Sequence, residues 1–206
     1  LPLNPWFVTG NDVNRAIVSL VFSGLMKCDP ATGTVVDDLA TVKVSADNRI
    51  YTAVLKSGLL WQDSTVASPH PVTADDIVYT FRTVQNPDFP NPILKQNFTG
   101  VEVEKLDEHT VRFRLSKPYS FFTSNLTLGI VPASAFEGIP VRKLDQTLDF
   151  GLHPIGAGPY SFVSMLQTDL STEVTLRRFE RPDSLRSYKI DRIVFRLFDL
   201  TLDEQK

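Results

Sequence analysis

The sequence has few residues able to form disulfides or bind metals, since 206 residues include one cysteine and three histidines. A single cysteine, Cys28, excludes any disulfide within the chain. The three histidines, His70, His109 and His153, lie far apart in predicted turns, whereas a metal site needs several ligands that converge. The sequence therefore predicts no metal and no cofactor, and it favours Cys28 as a half-buried strand residue.

The sequence also lacks a basic excess and a long apolar run. Its net charge of −3 offers no basic surface, which argues against nucleic acid as a partner. Its apolar runs are only a few residues long, far below the ~20 residues that cross a bilayer. The chain begins at Leu1 without a methionine or a secretory signal, so we expect it to be a piece of a longer protein.

Catalytic motifs are missing as well. There is no G-x-S-x-G motif, and no catalytic signature surrounds Cys28. Asp75 and Asp76 form a carboxylate pair, but their place in the first turn of a predicted helix favours helix capping over acid–base chemistry. The sequence therefore predicts a protein that is not an enzyme.

The clearest local signal is a helix that begins at Thr73. Thr73 can act as the N-cap, and Asp76 lies three residues later as the reciprocal partner in a capping box. Apolar residues up to Phe81 then follow helical spacing. Pro87 ends the helix because it disfavours helical backbone at the residue before it.

Hairpin patterns surround this helix and predict a mixed α/β (α+β) fold. Alternation of apolar and polar residues puts Phe113 on the inner face of one strand, and Arg112 and Arg114 on a solvated face. The predicted helix and strand segments outside Thr73–Phe81 are Ala16–Leu25, Met26–Val36, Thr41–Val44, Ile50–Leu55, Val101–Leu106, Thr110–Leu115, Val174–Phe179 and Ile190–Phe198.

Two motifs resemble one family. Lys56–Asp63 reads KSGLLWQD and precedes TADDIVYTF at Thr73–Phe81, while His153–Phe162 reads HPIGAGPYSF. Both are similar to motifs of the extracellular solute-binding proteins of family 5, the receptors of ABC importers. The glycines of the second motif would permit backbone dihedrals closed to other residues, such as a positive φ at Gly158.

The resemblance implies a periplasmic-binding-protein-like type II architecture, of which this chain is the N-terminal lobe. Residues 1–49 and 120–206 are expected to form the sheet domain of the first lobe. Residues 50–119 would form a smaller inserted α+β subdomain. The C-terminal lobe would be absent.

The resemblance also implies a function. The chain would be part of a monomeric receptor, periplasmic or extracellular, that captures a peptide or other small solute for an ABC permease, and a lipid anchor is left open. Two alternatives remain: the cytoplasmic solute-sensing domain of a transcription regulator, and a hydrolase. The sequence does not distinguish a dipeptide, an oligopeptide, a nickel chelate and a sugar as the solute.

The resemblance places the solute-binding residues near the start of the chain. The implied ligand-binding residues are Phe7, Thr9, Gly10 and Asn11, and Gly10 would let backbone approach the solute closely. The segment 89–97 is a weaker candidate. Isolated aromatic residues line a pocket less often than they lie in the core. We therefore expect a core position for Trp6, Phe7, Tyr119, Phe121 and Phe122.

Overall fold

A computed structural model describes residues 3–8, 12–180 and 188–198. The described residues form both helices and strands, in agreement with the mixed α/β fold that the sequence predicts. In chain order they are α1 (Asp12–Val21), β1 (Met26–Cys28), β2 (Val35–Asp37), β3 (Ala40–Val44), β4 (Ile50–Leu55), α2 (Ala74–Gln85), α3 (Pro92–Gln96), β5 (Val101–Lys105), β6 (Thr110–Leu115), α4 (Phe122–Asn125), α5 (Leu148–Leu152), β7 (Tyr160–Gln167), β8 (Ser171–Arg178) and β9 (Arg192–Phe198), with 3₁₀ turns at Ala133–Phe136 and Val141–Gln146.

The strands of the described residues form three antiparallel groups. β1 and β2 make a short hairpin, β3, β4, β6 and β5 make a four-stranded sheet in that order, and β7, β8 and β9 make a three-stranded sheet. The predicted hairpins are therefore confirmed. The first helix lies earlier than predicted, starting at Asp12 and ending at Val21, because Asp12 places a carboxylate at the helix N-terminus, where it interacts favourably with the helix dipole.

Helix α2 covers the inner face of the four-stranded sheet. The Phe81 ring on this helix lies 4.9 Å from the Phe113 ring and 5.2 Å from the Phe98 ring, measured between centroids. Tyr51 on β4 meets Phe122 at 4.9 Å. All five rings are buried, so the sheet and the helix share one aromatic core whose burial stabilises both.

The outer face of the same sheet carries charge. Arg112 pairs with Glu104 at 3.7 Å, and Arg114 pairs with Glu102 at 3.5 Å. These ion pairs bridge neighbouring strands on the solvent side, which confirms the prediction of a solvated face. Exposed pairs of this kind contribute little to stability.

The predicted boundary between residues 49 and 50 falls in the turn that joins β3 to β4. These two strands pair from Ala40 opposite Leu55 to Val44 opposite Tyr51. Strand β3 therefore belongs to the same sheet as residues 50–55. The division of the chain into two subdomains stays a prediction.

The predicted burial of three residues was wrong. Tyr119 and Phe121 are exposed rather than core, whereas Trp6 and Phe122 are buried as predicted. Cys28 lies at the end of β1 as expected, but it is exposed rather than half-buried. Tyr119 and Phe121 lie in the loop before α4, and Cys28 ends a strand of the separate β1–β2 hairpin. Across the described ranges, no helix has both the length and the apolar character required to traverse a bilayer.

Candidate functional site

The start of α2 is fixed by the Asp76 carboxylate. Its Oδ2 accepts hydrogen bonds from the Thr73 backbone N–H at 2.9 Å and from the Thr73 hydroxyl at 3.1 Å. Its Oδ1 accepts from the Ala133 N–H at 2.9 Å. Asp76 is buried and ties the helix to the turn at Ala133–Phe136. This confirms the Asp76 half of the predicted capping box and a structural role for the carboxylate.

The side chain of Gln62 bonds to two other segments of the chain, one at Val21 and one at residues 156–160. Its Nε2 lies 3.0, 3.1 and 2.8 Å from the carbonyl oxygens of Val21, Gly158 and Tyr160. Its Oε1 accepts from the Gly156 N–H at 3.0 Å. One amide group has only two N–H donors, so three carbonyl groups share them. Gln62 thus fixes the end of α1 against the start of β7.

The two glycines beside Gln62 are required for close approach rather than for dihedral freedom. A Cβ on Gly156 would lie 2.0 Å from the Val21 carbonyl oxygen, and one on Gly158 would lie 2.5 Å from the Leu20 oxygen. Neither glycine has positive φ, so the prediction about backbone dihedrals was wrong. Gly158 donates its N–H to Val21 at 2.8 Å, and this contact leaves no space for a side chain.

The first described segment, residues 3–8, is held at several points. Asn4 accepts the Trp6 N–H on its Oδ1 at 2.9 Å and the Phe7 N–H on its carbonyl at 3.1 Å. The buried Trp6 ring lies 5.1 Å from Phe136 and 5.9 Å from Phe89. The segment is therefore anchored by hydrogen bonds and by aromatic packing.

A cleft of about 620 Å³ lies beside this segment. Residues of α1, of β1 and of the segment 127–129 line the cleft, and the lining residues Pro5 and Val8 form its N-terminal border. Lys27 lines the cleft and pairs with Asp38 at 3.4 Å, and Arg15 also lines it. The arrangement offers apolar surface with a few charged groups, which suits a small solute.

The structure locates one of the four predicted binding residues. Phe7 is half-buried, and its ring stacks on Phe89 at 5.4 Å. Thr9, Gly10 and Asn11 lie outside the described residues, so their role stays a prediction. Segment 89–97, the weaker candidate, contacts the Phe7 segment directly.

Sequence reasoning missed Lys27 and Asp38. Lys27 was detectable as the one charged residue in the apolar run Leu25–Cys28. Asn91 lies within the weaker candidate segment 89–97, but its long-range contact with Trp6 had no local signal. Within residues 3–8, 12–180 and 188–198, no three His, Cys, Asp or Glu side chains gather as metal ligands.

Comparison with known proteins gives the family. Residues 34–202 match the model described as "Bacterial extracellular solute-binding proteins, family 5 Middle". The chain belongs to this family. Its members are solute-binding proteins rather than enzymes, in agreement with the prediction that the chain catalyses no reaction.

Two curated relatives show the extent of the similarity. The chain is 28% identical over 204 residues to di/tripeptide-binding protein 1 of Pseudomonas aeruginosa, covering 92% of this chain and 37% of the relative. It is 28% identical over 173 residues to the dipeptide-binding protein of Escherichia coli, covering 76% of this chain and 32% of the relative. The chain therefore spans about a third of the length of these relatives.

Solved structures share the fold. The chain superposes on NikZ of Campylobacter jejuni, solved with Ni(L-His), with a TM-score of 0.76 and 29% identity, over 94% of this chain and 36% of NikZ. The substrate-binding protein CtaP of Listeria monocytogenes gives 0.75 and 31%, over 95% of this chain and 38% of CtaP. The predicted mixed α/β fold is thus confirmed as part of the family's architecture.

Proposed function

We propose that this chain is part of the receptor of an ABC-type importer, which captures a peptide or another small solute outside the membrane. The observation that carries this proposal is the family match, which covers residues 34–202. The cleft beside residues 3–8 supports it, because small-molecule sites are concave and mostly apolar with a few fixed polar groups.

A peptide is the solute class best supported. The two curated relatives are named for binding dipeptides and tripeptides. Extended peptides are recognised chiefly through their main chain, which needs exposed backbone groups rather than a dedicated charge cluster. The residues that follow Val8, namely Thr9, Gly10 and Asn11, would supply such groups.

The architecture expected for this receptor has two lobes that close over the solute. We propose that residues 1–49 and 120–206 belong to the sheet domain of the first lobe, with residues 50–119 inserted. The opposite lobe would lie in the part of the relatives that this chain does not span. A membrane permease would receive the solute, and a lipid anchor stays an open prediction.

Calorimetry of the full-length protein tests the solute class. The titrants are a panel of dipeptides and tripeptides, with Ni(L-His) as the non-peptide comparison. At least one peptide is expected to bind with a Kd of about 1 μM or tighter, near −8 kcal/mol. Binding of Ni(L-His) alone would contradict the peptide proposal, and cleavage of any peptide during the titration would contradict a pure receptor.

Titration of the 206-residue chain alone locates the site. A solute held from one side keeps its terminal charges in water, where ion pairs are weak. We expect the chain alone to bind the same peptides no better than about 1 mM. Micromolar binding by the chain alone would show that the whole site lies within these residues.

A further inference from the structure

Asn91 makes two hydrogen bonds with the two ends of one amide. Its Oδ1 accepts the Leu94 N–H at 3.1 Å, which caps α3. Its Nδ2 donates to the carbonyl oxygen of Trp6 at 2.8 Å, across 85 residues of sequence. Because one end can only accept and the other can only donate, both contacts fix the orientation of the amide.

The Trp6 carbonyl lies in a segment that belongs to no helix or strand. On the same segment, the Trp6 and Phe7 N–H groups are bonded to Asn4. The Trp6 and Phe7 rings both pack on Phe89, at 5.9 Å and 5.4 Å. The residues around Asn91 therefore hold this segment by both an amide and a ring.

This attachment reaches the cleft indirectly. Pro5 and Val8 border the cleft, and Trp6 and Phe7 lie between them in sequence. Asn91 itself is not among the residues that line the cleft. Because Trp6 lies between these two lining residues, we expect a shift of its carbonyl to move them and to change the shape of the cleft.

We propose that Asn91 is a positioning residue for solute binding, which sets the border of the cleft by holding the Trp6 carbonyl. The proposal rests on the solute-receptor function proposed above. A solute that binds a pre-ordered border avoids the entropic cost of ordering it, so loss of the Asn91 contact weakens binding without removing a solute contact.

The test replaces Asn91 with aspartate. Asn91→Asp keeps an oxygen for the Leu94 N–H, and aspartate caps helices as well as asparagine does. It removes the one donor to the Trp6 carbonyl that is found among the described residues. The matched control is Asn86→Asp, the same change at the end of α2, where an oxygen for the Asp88 N–H is likewise kept. Asn91→Ser is a second variant that keeps a capping oxygen without adding charge.

Three measurements on the full-length protein are compared. Hydrogen exchange of the Trp6 and Phe7 amides is expected to quicken about tenfold in both Asn91 variants and to stay unchanged in Asn86→Asp. The Kd for the tightest-binding peptide of the panel is expected to rise about tenfold. The Tm should change no more than in the control.

Each contrary outcome is informative. Unchanged exchange at Trp6 and Phe7 would overturn the proposal, as would faster exchange spread evenly over the chain, because that would mean general destabilisation. Weaker binding without faster exchange would also overturn it. If no peptide binds the unmutated protein, the peptide proposal fails, and the exchange data alone still decide whether Asn91 holds the segment.

Discussion

The two larger sheets differ in how completely they are covered. On the four-stranded sheet, Tyr51, Val111 and Phe113 are fully buried under α2. On the three-stranded sheet, Leu166, Val194 and Phe198 are 60%, 42% and 64% exposed. Their partners on β8 are Glu173, Thr175 and Ser171. These partners lie two residues apart along the strand, so Leu166, Val194 and Phe198 share one face of the sheet.

This contrast shows where the stability of the chain is concentrated. Free energy from apolar burial scales with the area removed from water. The four-stranded sheet finds its cover in α2 and α4 of the same chain. The exposed face of the three-stranded sheet gains little from its apolar residues. Replacing the same type of side chain in the two sheets should therefore change the free energy of unfolding by different amounts.

The largest effect is expected from a matched pair of phenylalanines. Phe113→Ala removes a fully buried ring that packs on Phe81, and it should cost about 3–5 kcal/mol of unfolding free energy. Phe198→Ala should change stability by less than about 0.5 kcal/mol. Urea unfolding of both variants measures the difference. Equal losses would break the contrast between the sheets.

The next largest effect tests how the three-stranded sheet is attached. Gly156→Ala places a Cβ 2.0 Å from the Val21 oxygen, so α1 and β7 must separate, at a cost of about 2 kcal/mol or more. Gly33 is the control, because nothing lies within 4 Å of a Cβ there. Gly33→Asn should cost less than about 1 kcal/mol, since asparagine tolerates positive φ. Thermal unfolding distinguishes the two, and a tolerated alanine at 156 would refute the close-approach account.

A smaller effect is expected at Asp76, which anchors the start of α2. Asp76→Ala leaves the Thr73 and Ala133 N–H groups without their partner, so about 2 kcal/mol should be lost. Asp75→Ala is the neighbouring control, because Asp75 is exposed and its one ion pair among the described residues is with Lys105 at 2.7 Å. The control should lose less than about 1 kcal/mol. Similar losses in both variants would mean that only helix-dipole charge matters.

The smallest effect is expected at Thr73. Its hydroxyl bonds to the Asp76 carboxylate, and its own N–H keeps the same partner after mutation. Thr73→Ala should therefore cost only about 0.5 kcal/mol, the low end for loss of an N-cap residue. A loss of 2 kcal/mol in urea unfolding would show that the hydroxyl caps a backbone N–H instead.

Local patterns predicted much of the fold. Alternation located β4, β5 and β6 and the face on which Phe113 lies, because a strand turns successive side chains to opposite faces. The Thr73 and Asp76 spacing located the start of α2, because capping depends on residues three apart. The two motifs pointed to the family, and the match of residues 34–202 confirms it.

Tertiary structure alone decided the rest, because these features depend on contacts between distant segments. Gln62 meets Val21 and Gly158 only after α1 and β7 come together. The same approach, rather than a local dihedral, requires glycine at 156. Asn91 reaches the Trp6 carbonyl across 85 residues. A sequence pattern records which backbone a residue prefers, but it does not record which distant atom will occupy the space beside it.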